Sequence, residues 1–286
     1  MRQIKTFYFD KNSNFGDQLN VTILSNIFGV EPLKTSPENS ELVCIGSLLE
    51  SFLHGSNDFK LAVKKIIYPK TIIWGTGFIA PENTRIIRPN GKSEIFYKNV
   101  EVQALRGNLT KARVEKFLNQ DLSRIPVGDP GLLVSKLIKT PEISKKYRLG
   151  IVPHYVDASS SKVKSLYAST KDSTVIDILL PPIEFLRRIA ECEVIISSAM
   201  HGLIAADGLG IPNRRLILSD KIFGGDYKFN DYYSVFGVDN HDKIDLRTNS
   251  ITFIDAQELT RNYPIKKEKL IQIQESLMES FPAFED

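Results

Sequence analysis

The chain is poor in the residues that most often announce a role. Its 286 residues include two cysteines, one tryptophan and four histidines. Cys44 and Cys192 sit inside apolar runs (Leu-Val-Cys-Ile and Ala-Glu-Cys-Glu-Val-Ile), with no Cys-x-x-Cys and no Cys/His spacing for zinc. They read as small core side chains, not as a disulfide framework. No His-Glu-x-x-His and no histidine pair at helical spacing occurs, so no metal site is expected. An excess of one charge is missing too. Lys plus Arg is 37 against 34 for Asp plus Glu, a net charge of +3, which gives no electrostatic case for nucleic acid. Lys64-Lys65, Lys145-Lys146 and Arg214-Arg215 read as solvated faces. Long apolar runs are absent as well. The longest uncharged stretch, Val194 to Ala206, falls short of the ~20 residues a spanning helix needs. The N-terminus lacks the apolar core of a signal peptide. A cytoplasmic protein is expected, with peripheral contact at the inner face of the membrane left open.

Several catalytic signatures fail in detail. Gly91-Lys92-Ser93 resembles the end of a phosphate loop, but the earlier glycine it needs is Ile86. Gly75-Thr76-Gly77-Phe78-Ile79-Ala80 formally fits a dinucleotide turn, yet Pro81 arrives where the helix should propagate. No Gly-x-Ser-x-Gly elbow supplies a hydrolase nucleophile.

What the sequence does have is a rhythm. Apolar strands at Ile4–Phe9, Leu42–Ile45, Thr71–Trp74 and Val100–Leu105 run into turns or glycines. The first leads to a helix with Leu19, Ile23 and Ile27 on one face, stopped by Gly29 and Pro32. Another helix begins near Asn108. After the polar stretch Lys139 to Lys146 the rhythm restarts, with strands at Leu149–Val152, Val175–Leu180, Val194–Ile196 and Leu216–Leu218. Pro181-Pro182 opens a helix, and the tail from Pro264 carries Leu270, Ile273, Leu277 and Phe281 on one stripe. Strand, turn, helix, repeated, predicts an α/β chain of two Rossmann-like domains. They are read as residues 1–145 and 146–286, with helix 264–281 packing back on the first. The ligand is expected between them, off the carboxyl ends of strands.

The segment from Glu193 to Pro212 is the most informative. A strand meets the small residues Ser197-Ser198-Ala199, and a helix begins near His201-Gly202. Free N–H groups and the dipole at a helix start attract an anion. Gly202 lets that anion approach, and His201 adds a donor or a proton.

Seven blocks then stand in order: Asn14-Phe15-Gly16-Asp17-Gln18-Leu19-Asn20, Trp74-Gly75-Thr76-Gly77-Phe78, Ala104-Leu105-Arg106-Gly107, Gly128-Asp129-Pro130-Gly131, Pro153-His154-Tyr155, Ser197-Ser198-Ala199-Met200-His201-Gly202 and Lys228-Phe229-Asn230-Asp231-Tyr232-Tyr233. The ordered set resembles the polysaccharide pyruvyl transferase family, in particular its short exopolysaccharide-cluster members. The resemblance implies a fold similar to the GT-B glycosyltransferases. It also implies transfer of a pyruvyl group from phosphoenolpyruvate, a co-substrate, onto two hydroxyls of one sugar, with no further cofactor. The acceptor side falls to the first domain (Asn14, Gly16, Gly75, Gly77) and the donor side to the second. His201, Asp17 and His154 become the catalytic candidates. Arg106, Ser197, Ser198, Gly202 and Lys228 become the donor ligands. Many members carry arginine two residues before the motif histidine, where this chain has Ala199, so either the charge comes from elsewhere, with Arg106 and Lys228 as the candidates, or the donor is held differently. Asp129 reads as a turn former. The acceptor would be a saccharide linked to a nucleotide, lipid or oligomer. The competing reading is a GT-B glycosyltransferase using a sugar nucleotide, whose diphosphate the same helix end would hold.

Overall fold

Asn14 starts the first helix by accepting the Asp17 N–H on its side-chain oxygen at 3.2 Å. Gly29 ends it in the left-handed region (φ +66), its N–H returned to the Leu24 carbonyl. Between these caps α1 (Phe15–Phe28) buries Phe15, Leu19, Ile23 and Leu24. This is a computed structural model, describing residues 1–10, 14–55, 59–82, 94–238, 242–248 and 254–284. Gly91-Lys92-Ser93, Ile86 and His241 lie outside the described residues.

The strands and remaining helices follow in chain order. In the first half, β1 (Arg2–Phe7), β2 (Val30–Lys34) and β3 (Leu42–Val43) are followed by β4 (Leu53–Gly55), α2 (Phe59–Ile67) and β5 (Thr71–Trp74). Then come β6 (Glu94–Phe96), β7 (Val100–Ala104) and α3 (Asn108–Leu118). In the second half, β8 (Tyr147–Val152), α4 (Ser161–Ser169), β9 (Ser173–Val175) and α5 (Pro182–Ala190) lead to β10 (Cys192–Ser197) and α6 (Met200–Gly208). They are followed by β11 (Asn213–Ile217), α7 (Tyr227–Tyr233), β12 (Lys243–Asp245), α8 (Ala256–Arg261) and α9 (Lys267–Glu279).

Two five-stranded parallel sheets organise the chain. One has the order β2-β1-β3-β5-β7, the other β12-β11-β10-β8-β9. Counting each sheet's own strands along the chain, both read 2-1-3-4-5, a doubly wound order whose direction reverses between strands one and three. The second half therefore repeats the architecture of the first, although no repeat is visible in the sequence. β4 and β6 form a separate antiparallel pair.

Some sequence expectations shift. Pro32 does not merely stop α1; it lies inside β2, where it faces Ile4 on the sheet's outermost strand, the place a strand tolerates proline. The strand expected at Val175–Leu180 ends at Val175, because the Asp177 side chain and carbonyl accept the Leu179 and Leu180 N–H groups in a turn. Arg215 is buried, its guanidinium 3.7 Å from the centre of the Phe229 ring, so that pair is not a solvated face. No helix follows Gly75-Thr76-Gly77-Phe78-Ile79-Ala80 before residue 82. Among the described residues, no helix is long and apolar enough to cross a membrane.

The halves share one apolar core. Phe15 of α1 packs on Phe185 of α5 with ring centroids 4.1 Å apart, and Leu132, Leu203 and Ile204 belong to the same cluster. α9 closes over it from the far side. Its Leu277 carbonyl accepts the indole N–H of Trp74 at 3.2 Å, and beyond the helix Phe281 stacks on Phe28 at 3.7 Å.

Candidate functional site

A cleft of about 340 Å³ opens between the carboxyl edges of the two sheets. Each of its walls follows the carboxyl end of a strand. From the first half come Phe9, Asn14 and Asp17 after β1, Gly46, Ser47 and Leu48 after β3, and Ile79 after β5. From the second come His154 and Tyr155 after β8, Ile178 after β9, Ala199, Met200 and His201 after β10, and Lys228 at the start of α7. The cleft thus lies across both reversal points, where open α/β sheets bind ligands.

Two helix starts meet there. α1 begins at Phe15 and α6 at Met200, and Gly16 lies against the imidazole of His201. A Cβ on Gly16 would collide with His201 Nδ1. The glycine is what allows the two helix starts to touch, and with them the positive ends of two backbone dipoles.

Burial pushes His201 down to about 3, with Lys228 and Arg106 adding to the effect. His154 is lowered to about 4, first by burial and then by Lys228. Both imidazoles are therefore neutral near pH 7. Lys228 itself falls to about 8 through burial, helped by Arg106 and Arg215, and has no carboxylate counter-ion among the described residues. Asp17 is raised to about 6 by burial, opposed by its hydrogen bond from the Asn14 amide. An anion would relieve every one of these shifts on the basic groups.

Several expected ligands stand elsewhere. Arg106 is fully buried and does not line the cleft. Its Nε donates to Asp231 Oδ2 at 2.9 Å, and another guanidinium nitrogen donates to Ser47 Oγ at 2.6 Å. Asp231 is equally buried and also accepts the Thr110 N–H and hydroxyl, both at 2.7 Å. The charge of Arg106 is therefore already used. Ser197 Oγ is taken up by the Val152 and Ala199 carbonyls, and Gly202 packs against it. Ser198 accepts the His154 N–H at 2.8 Å and so positions that residue without facing the cleft. Gly75 adopts φ +85, and Pro130 fills the space a side chain would need. Gly77 is covered by the Arg106 guanidinium. Of the two cations offered in place of an arginine at Ala199, Lys228 is the one in the cleft.

Sequence reading missed half of Asp129. Its Oδ1 accepts the Gly131 N–H at 2.8 Å and starts a 3₁₀ turn over residues 130–136, as a turn former should. Its Oδ2 has no hydrogen-bond partner and stands 4.0 Å from His201 Nε2.

Fold and site together define a class: an α/β protein of two doubly wound sheets with a basic, histidine-bearing cleft at their facing carboxyl edges. Residues 2–218 match the family model for polysaccharide pyruvyl transferase, and the chain belongs to that family. It is 31% identical over 247 residues to an uncharacterized protein of Acanthamoeba polyphaga mimivirus, covering 83% of this chain and 76% of that one. It is 25% identical over 199 residues to the succinoglycan biosynthesis protein ExoV of Rhizobium meliloti (strain 1021), covering 63% of this chain and 58% of that protein. The family read from the ordered sequence blocks is thus the family found.

Proposed function

We propose that the protein transfers the pyruvyl unit of phosphoenolpyruvate to two hydroxyls of one sugar in a surface or exopolysaccharide precursor, closing a cyclic ketal and releasing phosphate. The observation that carries the reading is the convergence on one cleft of an uncompensated ammonium, two neutral histidines and two helix starts. Such a set suits a small donor bearing both a phosphate and a carboxylate.

The chemistry balances with these groups. A proton adds to the methylene carbon of the enol ether, and the cation-like carbon beside it takes the first sugar hydroxyl. The second hydroxyl then displaces phosphate from the same carbon. Two C–O bonds form and one C–O bond to phosphate breaks. Of the two hydroxyl protons lost, one balances the new methyl group and the other leaves with phosphate. Lys228 would hold the donor anion. His201 would deliver the methylene proton, and the donor's own charge would restore basicity to an imidazole that burial, and after it Lys228, suppresses. Asp17, on the first half's wall, would accept a hydroxyl proton, with His154 on the opposite wall as the second candidate.

The paired sheets support a likeness to GT-B enzymes, with the first half on the acceptor side and the second on the donor side. The same architecture keeps the glycosyltransferase reading as the alternative. Phosphate release from phosphoenolpyruvate, measured across a panel of nucleotide-, lipid- and oligomer-linked saccharides and set beside sugar-nucleotide donors, decides between them. Turnover is expected only with phosphoenolpyruvate and is expected to survive EDTA, since protein cations and helix starts can stabilise departing phosphate. Activity restored only by Mg²⁺ would favour the alternative.

A further inference from the structure

We propose that Asp129 is a positioning residue for His201: its Oδ2 holds the proton on Nε2, so that Nδ1 is the nitrogen that exchanges a proton with substrate. The proposal rests on the reading above, in which His201 acts on the donor, but its first test does not need turnover.

Two buried polar atoms without partners face each other across 4.0 Å, Asp129 Oδ2 and His201 Nε2. Leaving either unpaired costs the desolvation of that group, and more where the group is charged. One proton between them would satisfy both, once the imidazole turns to bring Nε2 within hydrogen-bond distance of Oδ2. Asp129 is held for this task. Its Oδ1 is fixed by the Gly131 N–H, and the turn that follows packs on both α1 and α6. Its side chain is fully buried and absent from the cleft wall, so it reaches substrate only through His201.

The charges around the pair favour the same assignment. Burial raises the Asp129 carboxyl to about 6, opposed by the Gly131 N–H and by Arg106, so it still carries its charge at neutral pH. Burial, and after it Lys228 and Arg106, keep His201 from holding a second proton. An ionised Asp129 beside a neutral imidazole selects the tautomer with hydrogen on Nε2. The other nitrogen, Nδ1, lies against Gly16 on the α1 turn whose Asn14 and Asp17 line the cleft. A buried carboxylate that fixes a histidine's tautomer and supports its charged form is a known route to efficient proton transfer.

The test is nitrogen NMR of ¹⁵N-histidine-labelled, substrate-free protein, joined to kinetics. Wild-type His201 should show the Nε2–H tautomer. Asp129→Asn keeps the oxygen that caps Gly131 but presents an amide donor to Nε2, so the tautomer should invert to Nδ1–H. With phosphoenolpyruvate and an active acceptor, its kcat should fall ~10²–10⁴-fold while the donor KM moves less than about threefold. Asp129→Ser, whose hydroxyl can still cap Gly131, serves if the asparagine variant does not fold. It should give a mixture of tautomers and a similar loss of kcat. An unchanged His201 tautomer in the folded variant overturns the proposal, as does a wild-type kcat. If wild-type protein turns over no phosphoenolpyruvate, the functional reading fails, and the tautomer experiment still decides the pairing by itself.

Discussion

Two charged clusters, one buried and one lining the cleft, lie within one turn of each other on α7, and they differ in how completely they are paired. Asp231 joins Arg106, both side chains inaccessible to solvent, and its oxygens accept from the guanidinium, the Thr110 N–H and the Thr110 hydroxyl. Three residues earlier, Lys228 enters the cleft with no counter-ion among the described residues, beside a histidine whose Nε2 lacks a hydrogen bond. The first cluster spends its charge on joining α7 to the end of β7. The second leaves its charge unspent, and only a ligand completes it. A cation inside the fold thus has two uses, and its neighbours decide which.

The sharpest way to test that contrast is to remove one member from each cluster. His201→Ala should cost ~10²–10⁴ in turnover, while its unfolding free energy should fall by no more than the ~1–3 kcal/mol of leaving Asp129 Oδ2 unpaired. Full activity in the variant would take His201 out of the mechanism. Arg106→Ala should do the reverse. It strands a buried carboxylate, at ~3–5 kcal/mol by denaturant unfolding, and any fall in activity should track the folded fraction. A folded Arg106→Ala variant with a raised donor KM would instead return Arg106 to the site.

Lys228→Ala should raise the donor KM by about one to two decades, the loss of ~1.5–3 kcal/mol from one charge-assisted hydrogen bond. The lowered pKa also gives a signed pH effect. Lys228 loses its proton as pH rises through about 8, so the wild-type donor KM should climb above that pH. In Lys228→Arg the climb should vanish, since guanidinium stays charged. The smallest effect is expected where the two clusters touch. Ser47 lines the cleft and also accepts a hydrogen bond from Arg106. Ser47→Ala should cost ~0.5–1.5 kcal/mol in stability, because water in the cleft can replace the hydroxyl, and should leave the pH profile alone. A shifted pH profile would mean the clusters are coupled.

Much of the frame was legible because it is written locally. Branched and aromatic runs set β1 and β5, Gly29 closes α1, and Pro182 opens α5. The His201 segment announced itself by its small residues and its strand-to-helix step. What stayed hidden depends on distant partners. β12 spans only Lys243–Asp245 and is a strand because β11 lies beside it. Nothing near Arg106 shows that Asp231 neutralises it. Gly75 and Gly77 look alike, as open turn glycines that could admit a sugar, until Pro130 and Arg106 fill the space beside them. Asp129 was readable as a turn former through Oδ1, but Oδ2 acquires its meaning only when α6 is packed against it.

The contact between Gly16 and His201 sets a timetable for the molecule. A ribosome delivers one wall of the cleft long before it makes the segment that carries the imidazole, and domains generally fold as units in the order of their synthesis. Each sheet can form its own hydrogen bonds without the other. Competence for chemistry cannot arise that way, because it begins only when α6 settles onto the bare backbone of α1. Recovery of turnover after unfolding therefore clocks the seating of one half on the other, a later event than the return of helices and strands.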